Sequence, residues 1–202
     1  MRPHLAAPAA LLLALAAAPG SATPPPPPPA AIDLPALIEC RQRVADFAAL
    51  APVLDDPLKA VALGWRPLPQ QNLFMTEYEL TAPVTVFGHT SSQIAFSGAS
   101  VMAILDLPDP RVLARQLQLE EGVDTPDKVM YGREVVSDDV ADPKTGEPMI
   151  ESIVLSVSNV QSHPGKTLAG CTYSLDLPEE TEPEPPVETV PVPPAADTSA
   201  PR

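Results

Sequence analysis

"PVTVFGHTSSQIAFSGASVMAILDL", residues 83–107, decides the fold. Short β-rich runs stand on either side of two polar breaks, "GHTSS" and "SGAS". Val84 and Val86 before the first break share even parity with Ile94 and Phe96 after it, so the four fill one face when the runs pair. Gly98 falls at the first central position of a two-residue turn, which suits a type II′ hairpin. "SVMAILDL" is almost wholly apolar, which belongs to a central strand covered on both faces. Tight turns between neighbouring runs make the pairing antiparallel.

Moving outward, "FMTEYEL" alternates, with Phe74, Tyr78 and Leu80 of one parity. On the other side Asp109 and Pro110 are a cap and first residue for a helix, "PRVLARQLQLEE", that closes at Gly122. Then come "KVMYGREVV", the turn "DPKTGEP" and "MIESIVLSVSNV", a long hairpin with Gly146 placed for positive φ. In the last strand, "GCTYSLDL", Cys171, Tyr173, Leu175 and Leu177 face one way, and Thr172, Ser174 and Asp176 the other. Before the sheet, Asp33 caps a helix with Pro35 in its first turn; Leu37, Cys40, Val44, Phe47 and Ala51 recur at helical spacing, and Pro52 ends it. Asp56 and Pro57 restart a helix that Gly64 closes. The expectation is an α+β single domain: an antiparallel sheet of six or seven strands, with two N-terminal helices and one inserted helix packed on one face.

The ends read differently. Residues 1–22 carry Arg2, an uncharged Leu/Ala run too short to span a bilayer, and a small-residue "GSA", the pattern of a signal peptide cleaved after Ala22. Residues 23–30 include six consecutive prolines, a polyproline II spacer. Residues 178–202 are rich in Pro and Glu and lack aromatics, so a disordered acidic tail is expected after a globular domain at 31–177. The address is an exported one: periplasmic in a Gram-negative bacterium, otherwise secreted, with no membrane insertion once the leader is removed. In an oxidising compartment the two cysteines, Cys40 and Cys171, are expected to pair. Both lie on apolar faces that the proposed packing brings together.

The net charge is −14, which disfavours nucleic acid and anionic membrane surfaces and favours a basic partner. His89, Ser91 and Ser92 supply the side-chain types of a hydrolase, with Asp106 or Glu77 as the orienting acid. The Gly-x-Ser-x-Gly elbow is missing; "GASVM" has Met where the second Gly belongs. A hairpin tip explains Gly, His, Thr and Ser without chemistry. His163 lies in "SHPG", another turn. "DDVADPKTGE" lacks the oxygen ladder of a calcium loop, and no phosphate-cradling glycine loop is present in the sequence. Trp65 reads as a core plug. No cofactor or metal is expected. The reading is a non-enzymatic protein-binding module, in one form an inhibitor or immunity-type protein. The alternatives are a hydrolase centred on His89, Ser91 and Ser92, or an assembly factor of the cell envelope.

Overall fold

The structure, a computed structural model, describes residues 32–178. The expected signal peptide with its cleavage site at Ala22, the expected proline spacer and the expected tail from Glu179 onward lie outside the described residues.

Five short helices and eight strands follow one another: α1 (Leu34–Ile38), α2 (Val44–Ala48), α3 (Ala51–Leu54), α4 (Pro57–Ala62), β1 (Trp65–Pro67), β2 (Thr76–Val86), β3 (His89–Ser97), β4 (Ser100–Leu105), α5 (Pro110–Gln116), β5 (Glu120–Asp124), β6 (Val129–Ala141), β7 (Pro148–Ser158) and β8 (Thr167–Asp176). The strands make one antiparallel sheet in the order β1-β2-β3-β4-β8-β7-β6-β5. The α+β class holds, and the strand count of six or seven is corrected to eight.

Three local causes account for the difference. "FMTEYEL" and "PVTVF" are one strand, β2, because an irregularity between Glu79 and Val84 absorbs Pro83, which has no N–H to give a ladder. β1 is a three-residue strand beside β2. β5 begins where the helix was expected to continue. α5 stops at Gln116 because Gln118 turns left-handed (φ 56°), and the Leu119 N–H reaches back to the Ala114 carbonyl at 3.0 Å. That Schellman closure frees residues 120–124 to pair with β6, so Gly122 lies in a strand instead of ending a helix.

The N-terminal region holds four short helices where two were expected. α1 ends in the same way: Cys40 is left-handed (φ 57°), and the Arg41 N–H donates to the Ala36 carbonyl at 2.8 Å. Cys40 therefore sits in a helix-ending turn and not on a continuous helical stripe. Pro52 opens α3 instead of ending its predecessor.

The helices pack on one sheet face. Leu37, Ile38, Leu50, Ala60 and Leu113 meet Val86, Ile94, Val101, Ile153 and Tyr173 there, all buried. Trp65 is in this core with Tyr78 and Phe96, ring centroids 5.9 Å apart in each pair. The Cys40–Cys171 disulfide joins the α1 turn to β8, with Cα atoms 5.5 Å apart and a sequence separation of 131. Nearby, the Tyr173 hydroxyl donates to the Leu37 carbonyl at 2.7 Å, and its ring stacks on Phe47 at 5.0 Å. Burial pushes the Tyr173 phenol upward. The opposite sheet face carries a smaller cluster of Met75, Ala95, Ile104 and Leu168, capped by Val160.

Candidate functional site

The hairpin tip at residues 86–89 is tighter than its sequence implied. Val86 pairs with His89, so the turn is Phe87–Gly88 alone, both with positive φ (52° and 79°). That is the signature of a type I′ turn, where Asn-Gly is usual. Phe87 tolerates it with its side chain against the main core and its N–H donating to the Glu39 carboxylate at 2.8 Å. His89 is thus the first residue of β3, half-buried. Ser91 is buried. Its hydroxyl lies 2.8 Å from the Gln93 carbonyl, 2.7 Å from the Ile104 carbonyl, and accepts from the Gln93 N–H at 3.0 Å. It mends the backbone where β3 is irregular and leaves β4. Ser92 is exposed. Of the two acids considered for His89, Asp106 pairs with Lys166, and Glu77 faces another histidine.

That histidine is His163. Glu77 and His163 are both buried, with Oε2 and Nε2 3.0 Å apart. His163 Nδ1 is 2.9 Å from the Ser162 hydroxyl, which is 3.2 Å from Asn72 Nδ2. The Phe74 N–H donates to Asn72 Oδ1 at 3.0 Å, which fixes the amide's orientation. Asn72 therefore donates to Ser162, and Ser162 and Glu77 hold the two ring nitrogens of His163. The second Glu77 oxygen is buried without a partner. The residues follow one another as Ser, His and acid, and the arrangement works as a latch. It ties residues 70–75 to residues 159–166 across the smaller core. Alternation in "FMTEYEL" put Glu77 opposite Tyr78, but pairing with His163 needed the loop's position, and no local spacing reports that.

Beside α2 lies a different arrangement. Glu151 is buried on β7, where one oxygen accepts the Val44 N–H at 2.8 Å and the other contacts Arg43. Arg43 also donates to Asp138 of β6 at 2.7 Å, and this bond raises its pKa. The carboxylate thus anchors the first turn of α2 above β6 and β7. Next to it is a cavity of about 320 Å³ walled by Val44, Ala45, Ala48, Val140, Ala141 and Leu175, with the paired Arg43 and Glu151 at one end. Three carboxylates lie near it. Asp138 and Asp139 are exposed on β6, and Asp142 opens the β6–β7 turn. Asp142 accepts from the Thr145 and Lys144 N–H groups at 2.8 and 2.7 Å, which lowers its pKa.

A second hollow, of about 240 Å³, adjoins Leu73 and Phe74, which are 85% and 82% exposed. No charged side chain lines it. Farther along the β6 side, Arg111 lies 3.0 Å from Asp124 and holds its carboxyl below the usual range, with Tyr131 donating to the same group at 2.6 Å. Among the described residues no cluster of three His, Cys, Asp or Glu side chains is placed to hold a metal ion, and no helix is long and apolar enough to cross a membrane. The chain matches no family model, and no curated protein or solved structure shows significant similarity to it.

Proposed function

We propose that this is an exported protein-binding module that recognises a basic partner at the acidic face between α2 and the β6–β7 hairpin. One observation carries the reading: a largely apolar cavity of about 320 Å³, with Arg43 and Glu151 at its charged end, opens beside α2 next to the exposed β6 carboxylates Asp138 and Asp139. Recognition sites combine an apolar pocket with a few charged groups that select the partner. The hollow at Leu73 and Phe74 has the apolar part without the charge. A net charge of −14 favours encounter with a cationic protein. The Cys40–Cys171 bond supports export, because disulfides persist in oxidising compartments. Inhibition of a secreted or envelope-acting basic protein is one form this binding takes.

A photocrosslinking amino acid at exposed Ala48 tests the reading, with exposed Val112 on α5 as the control position. The expected result is a discrete adduct at position 48 with a protein of basic isoelectric point. It is lost at high salt and absent at position 112. Identical adduct patterns from both positions, or none at position 48, contradict it.

A further inference from the structure

The outer edge of β6 is open where β5 stops. β6 runs thirteen residues, but β5 pairs only with Val129–Gly132. Residues 133–141 pair with β7 on one side and with no strand on the other among the described residues. An unpaired edge is a row of N–H and C=O groups that templates another strand. The charges on this edge decide which strand. Glu134, Asp138 and Asp139 are exposed along it; Asp138 is paired with Arg43, and Arg133 is the one cation within residues 133–141. A second copy of the chain brings the same excess of carboxylates to this edge, which is unfavourable. A basic segment meets the opposite charge on the same positions.

The cavity beside α2 completes the geometry. Val136 and Val140 share parity and turn their side chains partly inward. Val140 and Ala141 form the cavity wall nearest the edge. In an added strand, the residue opposite Val140 points to the same face and lies over that opening. About 320 Å³ admits one Leu-, Met- or Phe-sized side chain.

We propose, resting on the reading of this face as a protein-binding site, that β6 receives an extended basic segment of the partner as a ninth strand. Backbone pairing runs along residues 133–141, and one apolar side chain of the segment fills the cavity beside α2. This is strand addition, in which main-chain bonds give affinity and a side-chain pocket gives specificity.

The test uses the full chain and the tighter-binding of two labelled nonapeptides of alternating Lys and Val, with Leu at position 2 or position 8, the positions opposite Val140 when the strand pairs antiparallel or parallel along residues 133–141. Two analogues are N-methylated at alternate residues, one on each edge of the extended peptide, and a third replaces Lys with Glu. Only one edge of an added strand bonds to β6. The expected result is a loss of roughly tenfold or more in affinity for one N-methylated analogue and little change for the other, in line with the loss of several backbone hydrogen bonds. The Glu analogue does not bind. Ala48→Trp, which fills the cavity from an exposed position, and Asp139→Lys, which reverses an exposed charge on the edge outside the cavity, each weaken binding. Equal affinity of both N-methylated analogues overturns strand addition but leaves the face as a binding site. Failure of every peptide, with the position 48 adduct still formed, also overturns strand addition alone. Failure of the peptides together with loss of that adduct removes the underlying reading as well.

Discussion

Cys40 combines a left-handed backbone with a half-cystine, and both end α1 over β8. Non-glycine residues enter that region at a cost, so the tertiary bond is what keeps a cysteine there. Under non-reducing conditions in urea, no thiol is expected to titrate. Cys40→Ala is expected to destabilise the domain by about 2–5 kcal/mol, since the bond closes a loop longer than one hundred residues. Two thiols appearing in the denatured wild-type protein contradict this. Ser91 and His89 separate a structural hydroxyl from a peripheral ring. Ser91→Ala strips a buried partner from the Ile104 carbonyl and is expected to cost about 1–3 kcal/mol. His89→Ala is expected to stay within about 0.5 kcal/mol. Denaturant midpoints of the two variants, measured side by side, check the order. A larger loss at His89 reverses it. The sequence made this pair look equivalent because both lie in one polar stretch. Burial beside β4 distinguishes them, and burial depends on the register of β3, whose hairpin turns at Phe87–Gly88 and leaves both residues in the strand.

At the scale of elements, period-2 patterns were legible and helix ends were not. β4, β7 and β8 fall where alternation or continuous apolarity put them, while β3 begins at His89, inside the stretch expected to turn. The errors cluster at helix C-termini, where Cys40 and Gln118 adopt the conformation that glycine advertises and other residues conceal. The β6–β7 turn was readable for the opposite reason. Asp142 and Gly146 have the chemistry their positions require, with φ 75° at Gly146. That turn carries a pH signature. The Asp142 carboxyl has its pKa lowered in the folded state by the Thr145 and Lys144 N–H groups. Its contribution is therefore complete above the unfolded carboxylate value of about 3.9 and disappears as pH falls through the folded value. Asp142→Ala is expected to lower stability at pH 7 and to lose less on acidification than the wild type does. Urea midpoints at pH 7 and pH 3 for both proteins decide it. A variant with the wild-type acid dependence contradicts the assignment.

Across the whole molecule, eight strands divide the labour between two faces. One face takes the helices, the aromatic trio and the disulfide. The other is closed at one corner by the Asn72–Ser162–His163–Glu77 latch. Composition and charge pointed to a basic partner, because net charge requires no knowledge of topology. The location of the proposed binding face was hidden, because it depends on β5 covering β6 only as far as Gly132, nine residues short of its end, and on α2 being held above β7 by Glu151. The most direct measurement is amide hydrogen exchange across the full chain, with and without the basic partner retained at position 48. The account predicts added protection concentrated in residues 133–141 and in α2, and little change in residues 70–75 or 86–93. Protection that falls instead on the Leu73–Phe74 loop or the His89 hairpin, with residues 133–141 unchanged, contradicts it.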